Sequence, residues 1–148
     1  MVRFLDSSVF LHAYLKPKRE LNDAEKEIKK KAINILENIE RGEEVVTSTV
    51  HISEVLNIIE ARLGLDAAIR LLEDLLAMEN IRIEKVDKKD YEEALVLSSR
   101  YKISPNDAIA CVISLRMNIS EVYSFDKHFD SVPFIKRITN INYVNNKE

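Results

Sequence analysis

The chain of 148 residues is poor in the residue types on which several protein classes depend. A single cysteine excludes an intramolecular disulfide framework, and two glycines are too few for a P-loop or a dinucleotide-binding turn. No positively charged start leads into a long apolar run, so we expect no signal peptide, no membrane-spanning helix and a cytoplasmic location. Tryptophan is missing, and the tyrosines form no stripe suited to base stacking.

The charged residues give opposing indications about nucleic-acid binding. The formal net charge is -3, whereas proteins that hold nucleic acid mainly through phosphate contacts are usually basic. Divalent cations bound in an acidic cluster would reverse the sign of the charge locally. The stretch 16–31 is itself basic: it is either an edge that faces phosphates or a solvated helix with ion pairs such as Glu25 to Lys29.

Short apolar segments alternate with helical patterns along the whole chain, which is typical of a doubly wound α/β sheet. With 46% hydrophobic residues the chain can bury a core, and we expect one domain over residues 1–148. Expected strands cover 2–5, 44–47, 81–85 and 121–124, with a further candidate at 137–139. Expected helices cover 7–15, 22–40, 49–63, 66–78, 88–101 and 105–117.

Four acidic residues stand out from this pattern. Asp6 and Asp126 each follow an apolar strand, and parallel sheets bind their ligands at the carboxyl ends of strands. Asp107 opens a helix that is apolar on every side, which predicts a buried helix whose first turn reaches a cleft. Glu54 projects away from the aliphatic stripe of its own helix, which is formed by Ile52, Val55, Leu56, Ile59 and Leu63.

Each acid also has a purely structural interpretation. Asp107 fits a capping box with Ser104, Asp6 and Asp126 fit helix N-caps, and Glu54 fits an exposed helix position. Taken together, however, the acids bring charge next to the most hydrophobic segments, and carboxylates gathered in one place repel unless cations hold them. Oxygen ligands without histidine or cysteine at metal spacing favour Mg²⁺ or Mn²⁺ over zinc.

These segments resemble one known family, the PIN-domain ribonucleases, and especially the compact prokaryotic group that includes VapC-type toxins. The resemblance covers nearly the whole chain. It rests on Phe4-Leu5-Asp6-Ser7-Ser8-Val9, Thr47-Ser48-Thr49 with Ser53-Glu54-Val55-Leu56, Ser104-Pro105-Asn106-Asp107-Ala108-Ile109-Ala110 and Tyr123-Ser124-Phe125-Asp126-Lys127-His128-Phe129.

The resemblance implies a three-layer α/β/α sandwich around a mainly parallel sheet of four or five strands. It assigns Asp6, Glu54 and Asp107 as core acids, Asp126 as the fourth acid with Asp130 as an alternative, and Ser124 as a supporting hydroxyl. It further implies metal-dependent hydrolysis of single-stranded or loop RNA, an antitoxin partner and a homodimer. The stretch 16–31 is longer than in minimal toxins, which leaves a role in RNA processing open.

Two other classes remain as alternatives. A PIN-like module that binds RNA or protein without cleaving it has no need of the intact acids Asp6, Glu54 and Asp107. A phosphohydrolase of the haloacid dehalogenase type requires a second acid two positions after Asp6, where this chain has Ser8.

Overall fold

The computed structural model describes residues 1–141. Its strands are β1 (Arg3–Leu5), β2 (Val45–Ser48), β3 (Ile81–Glu84), β4 (Glu121–Tyr123) and β5 (Lys136–Ile138). Its helices are α1 (Ser7–Tyr14), α2 (Asp23–Glu40), α3 (Thr49–Leu63), α4 (Leu65–Ala77), α5 (Lys88–Tyr101) and α6 (Pro105–Arg116), and a 3₁₀ helix covers Lys127–Ser131. All predicted elements are present within two residues of their expected bounds, and the candidate strand at 137–139 is β5.

The five strands form one parallel sheet in the order β3-β2-β1-β4-β5. The chain therefore winds outward from β1 in one direction and then returns to continue on the other side of β1. That reversal makes the junction between β1 and β4 the switch point of the sheet, where open α/β folds bind ligands.

Helices cover both faces of the sheet, because both faces carry apolar side chains. On one face, Leu5 and Val45 pack with side chains of α1 to α4, including Val9, Ile35 and Leu75. On the other face, Phe4, Val46 and Val122 pack with α5, α6 and the 3₁₀ helix. The predicted three-layer α/β/α architecture is confirmed. In the described residues no helix is long and apolar enough to cross a membrane.

The apolar helix α6 is buried as predicted, but two expected core positions are not. Eight of its residues, from Asp107 to Ser114, are buried, whereas Leu115 is 52% exposed near its end. In α3 the buried part of the aliphatic stripe ends at Ile59, whereas Leu63, the last residue of the helix, is 52% exposed.

The basic stretch 16–31 is arranged differently from the predicted ladder of i,i+4 pairs. Glu25 pairs with Arg19 at 2.8 Å instead of with Lys29, and it also closes a capping box with Asn22 at the start of α2. The Lys29 ammonium donates to the carbonyls of Ala13 (2.8 Å), His12 and Leu15 (both 3.3 Å) at the end of α1. Because cations stabilise helix carboxyl ends, Lys29 fastens α2 to α1.

A buried polar network lies at the amino-terminal edge of the sheet. The Arg3 guanidinium is 3.2 Å from Glu43 Oε2 and 2.9 Å from Glu121 Oε1, and it lies over the ring of Tyr123. The Tyr123 hydroxyl donates to Glu43 at 2.8 Å. Burial and the Glu43 carboxylate raise the pKa of Tyr123, so the phenol stays protonated and remains a donor.

Candidate metal centre

The acid site begins at the switch point between β1 and β4. Leu5 pairs with Tyr123 across the two strands, and the Asp6 N–H donates to the Tyr123 carbonyl at 3.0 Å. Asp6 and Ser124 therefore leave the sheet side by side at its carboxyl edge. Both are buried.

Asp6 is fixed by hydrogen bonds on one carboxylate oxygen. Its Oδ2 accepts from the Ser124 hydroxyl at 2.8 Å and from the Ser8 N–H at 3.3 Å, the second of which caps α1. Since the Ser124 proton is given to Asp6, the Ser8 hydroxyl is the donor in its 3.1 Å contact with Ser124. Asp6 can therefore be both the N-cap of α1 and a residue of the site, because capping uses its Oδ2 and leaves its Oδ1 free to face the site.

Glu54 projects from the middle of α3 away from the aliphatic stripe, as its helical phase predicts. The Ser7 hydroxyl donates to its Oε1, and the Asn106 amide donates to its Oε2 at 3.0 Å. Ser7 begins α1 and Asn106 lies in the first turn of α6. Glu54 thus ties α3 to the two segments that carry Asp6 and Asp107.

Asp107 lies in the first turn of α6 and is 6% exposed. Only half of the predicted capping box forms: the Asp107 N–H donates to Ser104 Oγ at 3.1 Å, while the buried Asp107 Oδ2 accepts no hydrogen bond from residues 1–141. Burial, the charge of Asp6 and a carboxyl-to-carboxyl hydrogen bond with Asp126 raise the pKa of Asp107 to about 8. The Asp107 carboxyl therefore holds a proton at neutral pH unless a cation compensates its negative charge.

The two candidates for the fourth acid lie in different surroundings. Asp126 follows β4, caps the 3₁₀ helix by accepting from the His128 N–H at 2.9 Å, and contacts His128 Nδ1 at 3.1 Å. Ligand atoms of Asp107, Asp126 and His128 all lie within 4.8 Å of one another. Asp130 instead forms a two-point pair with Arg137 at 3.0 and 3.1 Å, which holds the pKa of Asp130 below its usual range.

His51 is a buried neighbour of the acids that the sequence reasoning missed. It is 1% exposed, its Nδ1 contacts the Ser48 hydroxyl, and its Nε2 lies 3.8 Å from Asp6 Oδ1. Burial lowers the pKa of His51, and the charges of Asp6 and Glu54 oppose that shift only in part. One sequence signal was available: His51 lies four residues before Val55, on the side of α3 that faces the core.

Three further polar side chains support the site without having been assigned a role from the sequence. Ser7 and Asn106 hold Glu54, and Ser8 joins the Ser124 hydroxyl to the Phe125 N–H at 3.0 Å. Ser124 itself was expected as a supporting hydroxyl, and it contacts Asp6. His128 was likewise assigned no role from the sequence, but the turn after β4 brings it beside Asp126.

The donor set fits a hard divalent cation. Asp107 and Asp126 bring carboxylate oxygens, which such cations prefer, within 4.8 Å of each other and of a His128 nitrogen, and the orphaned Oδ2 of buried Asp107 is an acceptor that a cation would satisfy. Among residues 1–141, Asp6 and Glu54 are not part of this group of three. Glu54 adds a further carboxylate that is held from two directions. The geometry therefore defines a class of protein: a parallel α/β/α fold with an acidic, metal-competent site at its switch point.

Comparison with known proteins identifies the family within that class. The family model of the PIN domain matches residues 3–135, and the chain belongs to the PIN domain family. Proteins of this family include nucleases that use divalent metal ions. Among curated proteins, none matches the chain in sequence.

Solved structures share the fold at low sequence identity. VapC20 from Mycobacterium tuberculosis, described as a Sarcin-Ricin loop cleaving toxin, is 21% identical with a TM-score of 0.69, over 91% of this chain and 97% of that chain. VapBC2 from Rickettsia felis, bound to a DNA fragment from their promoter, is 15% identical with a TM-score of 0.63, over 93% and 98%. A toxin-antitoxin complex from Klebsiella pneumoniae is 14% identical with a TM-score of 0.63, over 90% and 95%.

Proposed function

We propose that this chain is an endoribonuclease that hydrolyses phosphodiester bonds of single-stranded or loop RNA with Mg²⁺ or Mn²⁺, and that it is the toxin of a type II toxin-antitoxin pair. The observation that carries the proposal is the buried Asp107 carboxyl, which meets two other carboxylates and no hydrogen-bond donor to its Oδ2 within residues 1–141. Such an arrangement costs stability unless a cation compensates it.

The proposed ligands are Asp6, Glu54, Asp107 and Asp126, acting directly or through ordered water. When bound, the cation lowers the pKa of a water molecule and offsets charge on the phosphate. Because burial lowers its pKa, the His51 ring is neutral and adds no positive charge beside Asp6.

The chain's own residues position the reaction. Ser124 and Ser8 orient Asp6 from one side, and Ser7 and Asn106 orient Glu54 from the other. Asp126 is one-third exposed, so it faces both the cluster and the solvent, and it is the acid suited to align an attacking water. No side-chain nucleophile is required for this hydrolysis.

The decisive experiment is cleavage of a mixed-sequence, single-stranded RNA by the purified protein with Mg²⁺, with Mn²⁺ and with EDTA. We expect metal-dependent cutting that is abolished in Asp6→Asn, Glu54→Gln and Asp107→Asn while the fold survives, because each variant removes a proposed ligand. Loss of cutting in these variants, prepared in the same way as the wild type, excludes a contaminating nuclease. Equal activity in all three variants and the wild type would contradict the proposal and favour a module that binds without cleaving.

The choice between Asp126 and Asp130 gives a second prediction. Asp126→Asn is expected to reduce cleavage by about 10²-fold or more, as general-base residues commonly do. Asp130→Asn is expected to change it by less than about twofold, since Asp130 serves the surface pair with Arg137. Initial rates at saturating metal compare the two variants directly, and the opposite ranking would move the fourth acid to Asp130.

A protein partner follows from the proposed role. Two of the similar structures are a VapBC and a toxin-antitoxin complex, so we propose a small antitoxin that restrains the activity in the cytoplasm. We further propose that residues 1–148 act as one domain, since a single sheet and one family match span residues 3–138 and 3–135 respectively. The homodimer expected from the family resemblance stays a prediction.

A further inference from the structure

An open cleft of mixed polar and apolar lining lies directly beside the acid site. It shares Glu54 and Asn106 with that site, and its remaining wall is formed by Thr49, Val50, Ser53, Asn57, Ile58 and Tyr91. Its volume is about 450 Å³. Ligand sites commonly have volumes of roughly 300–1,000 Å³, and this open cleft has room for one nucleobase against its wall.

Tyr91 gives the cleft an aromatic surface. It lies in the first turn of α5, and 46% of its surface is exposed. From the sequence alone, the tyrosines form no stripe suited to stacking. Packing of α5 against α6 nevertheless places this single ring across the cleft from α3, in reach of the same space as Glu54.

The polar groups of the cleft are available to a ligand. Within residues 1–141, the side chains of Thr49, Ser53, Asn57 and Tyr91 make no hydrogen bond or ion pair. By contrast, the serines and Asn106 around the acids are engaged with Asp6 and Glu54. An unpaired amide such as that of Asn57 offers a donor and an acceptor together, which is the pattern that the edge of a nucleobase presents.

We propose that this cleft is the subsite for one unpaired nucleobase of the RNA substrate, next to the phosphate that is cleaved. The base stacks on Tyr91, and its edge hydrogen-bonds with Asn57 and the neighbouring hydroxyls. The inference rests on the proposed ribonuclease function. It names the recognition element of that site: a splayed base in single-stranded or loop RNA, which stacking on an aromatic side chain favours.

This assignment also accounts for how an acidic protein binds RNA. The net charge of -3 leaves little general attraction for phosphates away from the cation site, so stacking and hydrogen bonds to a base held beside that site add to the affinity. The Tyr91 ring offers a single base a stacking surface, and the polar side chains of the cleft offer it hydrogen bonds. A paired base in a duplex cannot enter, because its face and edge are already occupied.

The subsite predicts a specific kinetic signature for Tyr91→Ala. Loss of one base-stacking contact, worth about 1–3 kcal/mol, corresponds to a rise in KM of roughly 5- to 150-fold. The change is expected in KM and not in kcat, because stacking is present in the bound substrate and in the transition state alike. Tyr91→Phe keeps the ring and is expected to restore KM to within about twofold, a recovery that a loss of packing alone would not show.

Variants at Asn57 and Tyr14 complete the experiment. Asn57→Ala is expected to change the distribution of bases next to the cleavage sites, read by sequencing the products of a randomised RNA. Tyr14→Ala is the matched control, since Tyr14 is 44% exposed and lines a separate groove with Phe10 and Leu71. It is expected to leave KM and the cleavage sites unchanged, and thermal unfolding verifies that every variant is folded.

A binding arm separates the two proposals. Fluorescein-labelled single-stranded RNA is titrated into Asp107→Asn and into Asp107→Asn combined with Tyr91→Ala, with Ca²⁺ present. Weaker binding in the double variant supports the subsite even if the wild-type protein proves unable to cleave. Wild-type cleavage with an unchanged KM, unchanged sites and unchanged RNA binding in the Tyr91→Ala proteins overturns the subsite and leaves the nuclease standing.

Discussion

Asn in place of Asp107 is expected to make the metal-free protein more stable at pH 8 while it removes RNA cleavage. The pKa of the buried Asp107 carboxyl is raised to about 8 by burial, by the charge of Asp6 and by a hydrogen bond with Asp126. An Asn side chain occupies the same volume without charge, and its amide donates to the neighbouring carboxylates. We expect a gain of at least about 1 kcal/mol in the free energy of unfolding at pH 8.

The pH dependence of this effect has a definite sign. In the unfolded chain Asp107 titrates near its ordinary value of 3.8, whereas in the fold it holds its proton until about pH 8. Between these values the folded state binds more protons than the unfolded state, so wild-type stability falls as the pH rises, by up to about 1.4 kcal/mol per pH unit. The stabilising contribution of the protonated form is complete below pH 3.8 and lost by about pH 8.

Denaturant unfolding of the two proteins at several pH values, with EDTA, measures this directly. The difference between Asp107→Asn and the wild type is expected to grow from pH 5 to pH 8, because only the wild type loses the Asp107 contribution. Added Mn²⁺ is expected to reverse the ranking, since metal binding stabilises the folded state of the protein that keeps its ligand. A variant that is less stable than the wild type at pH 8 without metal would contradict this account of the site.

The positions of three of the acids could be predicted from the sequence. Asp6 and Asp126 were predictable because parallel strands end at one edge, and the alternation of strands and helices already required a parallel sheet. Glu54 was predictable from its phase on α3. Each of these predictions depends only on regular backbone geometry, which fixes the direction of a side chain before any tertiary contact is known.

Contacts that join distant segments were not predictable. The bond between Asn106 and Glu54 and the approach of His51 to Asp6 depend on how α3 and α6 pack on the sheet. The different surroundings of Asp126 and Asp130 depend on the 3₁₀ helix that Asp126 caps and that contains Asp130. Tyr91 reaches the cleft only because α5 packs on α6, so no regular spacing could mark it.

The network around Arg3 is another long-range contact, and it gives the second large prediction. Arg3 is 6% exposed and lies between Glu43 and Glu121, with side-chain exposures of 17% and 13%, at the edge of the sheet opposite the acids. Arg3→Met keeps the apolar stem but leaves two mostly buried carboxylates without their cation. Removing one partner of a buried ion pair costs about 3–5 kcal/mol, and we expect a loss of that size in the free energy of unfolding at pH 7.

The matched control for Arg3→Met is Arg82→Met. Arg82 pairs with Glu84 at 3.0 Å, but its side chain is 66% exposed, so its loss is expected to cost no more than about 1 kcal/mol. Because the network lies at the amino-terminal edge, the surviving folded Arg3→Met protein is expected to cleave RNA at the wild-type rate. Equal losses for the two arginine variants would show that the buried network contributes no more than a surface pair.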